Sequence, residues 1–167
     1  MRMLAYFFIM VVLLVFQSTV MELFKIGGIK PDLPLVFALC CSLAKGENMG
    51  AFMGFLNGIF EDIIYGSFLG FNALIKFLTG YIQGYAARDI FKGPAIITMG
   101  LTFLGSIVYN IIFIFMSLIF NEIANPWYFF MPIVLPSALF NMIISPFVYY
   151  AVVKIERFFD YYFNVKY

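Results

Sequence analysis

An all-α integral membrane protein, with about six transmembrane helices in one compact bundle, is the fold class this sequence predicts. Three observations predict it. The 167 residues are 64% hydrophobic and 11% charged, more apolar surface than a water-soluble domain of this size can hide. Apolar runs recur at close to the roughly 20 residues that span a bilayer as a helix. Basic residues fall on alternate connections between those runs. A single multi-pass membrane domain, 1–167, covers the chain, because no low-complexity linker or soluble segment interrupts the runs.

The first run, 3–24, opens like a signal peptide with one basic residue. It is longer than a signal core and no small-x-small cleavage site ends it, so it reads as a retained transmembrane helix. The second, 31–45, begins at "KPDLPL" and is short. It requires tilt, local bilayer thinning or a non-helical opening. The third, 47–65, and the fourth, 68–87, are joined by the short "YGSFLG" and should pack as antiparallel neighbours. The fifth, 94–120, follows "KGP". The sixth, 128–153, follows "NPWYFF" and is punctuated by Pro132, Pro136 and Pro146. Ser145 precedes Pro146, where its hydroxyl can satisfy a backbone group that the proline frees. Trp127 and Tyr128 suit a membrane–water boundary. The tail "KIERFFDYYFNVKY" reads equally as an interfacial helix or as the frayed end of the last span.

Arg2, Lys45, Arg88, Lys92, Lys154, Arg157 and Lys166 fall on one side of this topology, and Lys25 and Lys30 on the other. Basic loops stay cytoplasmic, so both termini are expected in the cytoplasm. The outer side carries Glu22, Asp32, Glu61, Asp62 and Glu122.

Several function classes drop out. The net charge of +1 offers no footprint for nucleic acid. The absence of histidine removes the commonest general base and metal ligand. Cys40 and Cys41 are adjacent, which is awkward for a disulfide, and two thiols are too few for a metal site. They read as small buried hydrophobes. No phosphate loop or catalytic constellation is visible, so no enzyme activity and no cofactor are expected.

The stretch "GAFMGFLNGIFEDIIYG" sets Gly50, Gly54, Gly58 and Asp62 four apart, on one helix face. In "FNALIKFLTGYIQG" the residues Asn72, Lys76, Gly80 and Gly84 repeat that spacing. Glycine stripes let helices approach closely in lipid. Lys76 lies inside the fourth span, where a lysine costs about 2.5–3.5 kcal/mol on insertion scales and needs a partner or a watery cavity. Folding at the turn brings Asp62 near the depth of Asn72. Asp62 is therefore the first expected partner of Lys76 and Glu61 the second. An architectural ion pair and a charge that meets a partner protein or lines a cavity both remain open. A proton relay would need more ionisable groups than these spans hold. Gln17, Asn110 and Asn141 read as hydrogen-bonding glue between helices.

These motifs carry a resemblance. "KPDLPLVFAL", "GAFMGFLNGIFEDIIYG" and "GFNALIKFLTGYIQGY" resemble the pattern of the rod shape-determining MreD family. The matching positions are Pro31, Asp32 and Leu33, then Gly50, Gly54, Phe55, Gly58 and Asp62, then Gly70, Ala73, Leu74, Gly80 and Tyr81. Beyond them the likeness is one of hydropathy and length. The resemblance implies a non-catalytic scaffold of the bacterial inner membrane, part of the elongasome. Such a protein binds MreC and works, directly or indirectly, with MreB, RodA and a class B penicillin-binding protein, in contact with membrane lipid. Its role is to maintain rod cell shape by organising lateral peptidoglycan synthesis. The resemblance also implies a fold similar to the S components of energy-coupling-factor vitamin transporters. On this reading the glycine stripes dock the MreC helix, and the outer acids orient its periplasmic part. The competing reading is an S component itself, with the acids and Asn72 lining an outward pocket. The first helix weighs against it: Ala5 is its only small residue before Ser18, whereas S components dock their coupling subunit through small-residue motifs there. A lipid-active enzyme would have only the carboxylates and Lys76 to work with.

Overall fold

The computed structural model describes residues 2–21, 28–65, 68–90, 94–119 and 130–163. Glu22, Lys25, Lys92, Glu122, Trp127, Tyr128 and Lys166, used above to orient the chain, lie outside them. The elements are all helical: α1 (Arg2–Thr19), α2 (Leu33–Lys45), α3 (Glu47–Tyr65), α4 (Phe71–Ala86), α5 (Ala95–Ile119) and α6 (Leu135–Phe163), the last preceded by a π-helical turn, Phe130–Val134. Among the described residues, two stretches are long and apolar enough to cross a membrane, Ala95–Ile119 and Pro132–Tyr161, and Met3–Thr19 and Leu33–Lys45 are apolar but shorter.

The distribution of side chains is inverted relative to a water-soluble protein. Lys76, Asn57, Asp62 and Asn141 are buried, while Phe8, Leu104, Phe115 and Phe147 are exposed. In α5 the inward face is made of Thr98, Thr102, Gly105 and Ser106, and Ile96, Leu104 and Ile111 point outward. Apolar side chains face outward at little cost only where the surrounding medium is lipid, and polar groups there must satisfy one another.

Helix α2 is the axis of the bundle. It contacts every other helix, and each residue from Leu33 to Leu43 is buried. Its 13 residues reach only about 20 Å, short of a bilayer core of about 30 Å. A non-helical segment, 28–32, leads into it, which is one of the three expected remedies for a short span. Asp32 ends that segment as the cap, its carboxylate accepting from Leu35 N at 2.9 Å. Helix α1 lays Tyr6, Met10, Leu14 and Gln17 against this core. It stops at Thr19, earlier than the expected 24.

Helices α3 and α4 form an antiparallel pair with little space between their backbones. A Cβ on Gly54 would fall on the Lys76 carbonyl, one on Gly58 on the Ala73 backbone, and one on Gly84 on the Glu47 backbone. Gly50 and Gly80 face each other in the same way. The glycine stripes are therefore largely taken up by the α3–α4 contact, and Gly50 also lies against Ser42 of α2. They do not form the free docking face expected of them, because these neighbours already cover them.

Helix α6 runs to Phe163 instead of ending near 153, so the tail, as far as it is described, continues the last helix. It passes through Pro146 without breaking. Pro146 cannot donate to the Met142 carbonyl, and Ser145 Oγ donates to that carbonyl at 2.8 Å instead. Cys40 and Cys41 are buried and free, and Cys40 Sγ lies 3.6 Å from the Ser145 carbonyl as a weak donor.

Candidate functional site

Lys76 sits on α4 toward α2 and α3 and is wholly buried. A buried ammonium needs counter-charge and acceptors for its protons. Its Nζ donates to Glu61 Oε1 at 2.6 Å and to Asp32 Oδ2 and Oδ1 at 2.9 and 3.1 Å. The Tyr109 ring of α5 lies 5.7 Å from the same nitrogen, within cation–π range. The cap of α2, the end of α3, the middle of α4 and a ring of α5 thus meet at one charge.

Asp62, the first partner expected from the sequence, is not part of this triad. Its Oδ2 accepts from Gly70 N at 2.8 Å and Ala73 N at 3.4 Å, and its Oδ1 accepts from Asn72 N at 3.1 Å and Asn72 Nδ2 at 2.8 Å. A carboxylate from α3 therefore caps α4 in trans. The open N–H groups of a first turn and the positive end of the helix dipole favour that position. Gly70 lets the chain enter α4 in the left-handed region, at φ 99°. Asn72 accordingly partners Asp62 and not Lys76. Glu61, one residue earlier, is turned by about 100° around the helix and so faces Lys76. Asp32 entered the sequence argument as an outer-side acid and, with Pro31, as a motif position, not as a partner of Lys76. An acid ahead of an apolar run signals a cap, but nothing local signals a pairing with a lysine 44 positions away.

The segment that carries Asp32 is pinned from two sides. Gln17 Nε2 donates to the Pro31 carbonyl at 2.9 Å, and Gln17 Oε1 accepts from Leu33 N at 3.1 Å. Asn141 Oδ1 accepts from Asp32 N at 2.8 Å, and its Nδ2 donates to Ser106 Oγ at 3.1 Å. Asn110 Nδ2 donates to the Ser106 carbonyl at 2.7 Å and reaches Ser137 Oγ at 3.4 Å. All three amides act as interhelical glue, as the sequence suggested. Beside the triad, between the 28–32 segment, α5 and the start of α6, lies a pocket of about 500 Å³.

At the far end of the bundle is a second cluster that the sequence reading missed. Glu156 of α6 is buried. It accepts from the Tyr6 hydroxyl of α1 and pairs with Lys45 at the end of α2. The available signal was a single acid in "KIERFF", read there as part of a tail.

The triad is a structural centre, closed at Lys76 and open to the pocket at Asp32. The Lys76 protons are all directed at carboxylates, so it is not a nucleophile. Among the described residues, no group of three or more His, Cys, Asp or Glu is placed to hold a metal ion. A family model described as rod shape-determining protein MreD matches residues 1–156. The chain belongs to the MreD family. The match reaches through α5 and into the last turns of α6, well beyond the motifs that end at Tyr81. No curated protein and no solved structure matches the chain. Membership of the MreD family places it in the rod-shape system as a non-catalytic membrane protein, and lends nothing to the transporter-subunit reading.

Proposed function

We propose that this MreD-family chain is a multi-pass scaffold of the cell-elongation complex, with six helices crossing the bacterial inner membrane and both termini in the cytoplasm. Its direct partner is MreC. Through MreC it works with MreB, RodA and a class B penicillin-binding protein to organise lateral peptidoglycan synthesis. The observation that carries this reading is the family match over residues 1–156. The bundle suits the role, because polar side chains from several helices bond to one another inside it and large apolar side chains are exposed outside. Asp62, Glu61, Lys76 and Asn72 serve the partner indirectly. They hold the outer ends of α2, α3 and α4 in one shape, and the partner helix meets a face other than the glycine stripes.

Affinity purification of the tagged chain from native membranes in mild detergent, with mass spectrometry of the recovered proteins, tests the reading. MreC and wall-synthesis enzymes are the expected companions. Recovery of a transporter coupling subunit and its ATPases, without MreC, would overturn it. Labelling of a tag at either terminus by a membrane-impermeant reagent in intact cells would overturn the proposed orientation.

A further inference from the structure

The 500 Å³ pocket falls within the roughly 300–1,000 Å³ usual for ligand sites. Its walls come from three separate pieces of chain: the 28–32 segment with the first turn of α2, α5, and α6 with its π-helical start. π-Helical turns recur at functional sites. Acceptor capacity is left inside it. Asn110 spends its Nδ2 on Ser106 and Ser137, and among the described residues its Oδ1 makes no hydrogen bond. The Tyr109 hydroxyl, which can donate or accept, makes none among the described residues either, and Tyr109 lines the pocket. Ser137 Oγ donates to the Val134 carbonyl and accepts from Asn110 Nδ2. The Asp32 side chain keeps 24% of its surface exposed while pairing with Lys76. A carboxylate has about four acceptor sites, and Asp32 receives two bonds from Lys76 and one from Leu35.

The unspent acceptors, on Asn110 and Asp32, suit an occupant that brings N–H donors. Charge points the same way: Lys76 faces two carboxylates, and Asp32 is the one that opens to the pocket. Lys30 also lines it, its Nζ 5.7 Å from the centre of the Tyr65 ring, and its positive charge lies near where an anionic group of the same ligand would sit. The remaining lining, including Leu35 and Ile133, is apolar. We propose that this pocket binds a phosphoethanolamine head group, its primary ammonium held by Asp32, Tyr109 and Asn110 and its phosphate near Lys30. The apolar lining favours an aminophospholipid as the source. Which leaflet supplies the lipid rests on the orientation proposed above, whereas binding itself does not.

The test titrates full-length protein in detergent with short-chain phosphatidylethanolamine, phosphatidylcholine and phosphatidylglycerol, followed by native mass spectrometry. The choline lipid keeps the charge and the phosphate but has no N–H. The expected result is a preference for ethanolamine over choline of about 10-fold, abolished in Tyr109→Phe and Asn110→Leu while choline binding is unchanged. Tyr109→Phe removes a single unbonded hydroxyl, so the fold survives it. Equal affinity for all three lipids, or an ethanolamine preference that both variants retain, would overturn the proposal. Soluble phosphoethanolamine is then added as competitor to the ethanolamine complex. Displacement at equimolar concentration identifies a free ligand, retention of the lipid identifies the bilayer, and both support the head-group chemistry.

Discussion

Replacing Lys76 with methionine keeps the length of the side chain and removes its charge. Glu61 and Asp32, which accept from it at 2.6 and 2.9 Å, then face each other as carboxylates with nothing between them. Removing one partner of a buried ion pair costs about 3–5 kcal/mol. One carboxylate can take up a proton, so Lys76→Met belongs at the lower end, about 3 kcal/mol. Lys76→Glu puts a third carboxylate into the same volume. At an effective dielectric of about 20, like charges about 4 Å apart repel by about 4 kcal/mol, so this variant should lose several kcal/mol more. A triple variant, Lys76→Met with Glu61→Gln and Asp32→Asn, leaves only neutral groups. It should regain most of the loss, because replacing a whole buried ion group is often close to neutral and asparagine caps a helix about as well as aspartate. The assay is equilibrium unfolding in mixed micelles of rising SDS content, followed by circular dichroism. If Lys76→Met and Lys76→Glu each lost the same amount, below about 1 kcal/mol, the ammonium would be reaching water and the buried triad would be the wrong description.

The same assay reads the other expectations. Gly58→Ala drives a Cβ into the Ala73 backbone and should lose about 1–3 kcal/mol, whereas Gly100→Ala meets nothing within 4 Å and should gain about 0.5–1 kcal/mol; equal stability of the two would contradict the close α3–α4 approach. Ser145→Ala should cost about 1 kcal/mol, and that cost should vanish in a Pro146→Ala background, where Met142 regains its backbone donor; an additive cycle would dismiss the repair. Tyr6→Phe should lose about 1.5–3 kcal/mol, since it strips a hydrogen bond from a buried carboxylate, and a neutral result would mean that Glu156 is solvated.

The helices were legible because their signals are local. The α3 and α5 runs fall within about a residue of expectation, as apolar length and flanking Gly and Pro delimit them. The glycine stripes were legible as stripes through their four-residue spacing, but spacing does not say what lies opposite, and the answer was each other. The ion triad was half legible. A lysine inside a span demands an acid, and Glu61 was among those named. The choice of Asp62 went wrong because depth was the only criterion, and the N-terminal N–H groups of α4 compete for the carboxylate that lies nearest them. Asp32 was invisible as a partner because α2 meets α4 only after the bundle has closed. The Tyr6–Glu156 contact joins residues 150 apart, and no periodic pattern reports such a pairing.

The α3–α4 pair has a consequence for how the chain enters the membrane. Ribosomal synthesis delivers α3 first, with Glu61 and Asp62 at its trailing end, and α4 next, with Lys76 inside it. A helix that carries a bare lysine partitions poorly into lipid. Here the carboxylate that neutralises Lys76 and the carboxylate that caps α4 have both left the ribosome before α4 does. The glycine stripes that join the two helices are also complete by Gly84. The pair is thus a self-neutralising hairpin, complete in its own counter-charge before the rest of the chain is made. Asp32, made earlier still, is the contact that ties that hairpin to the cap of α2.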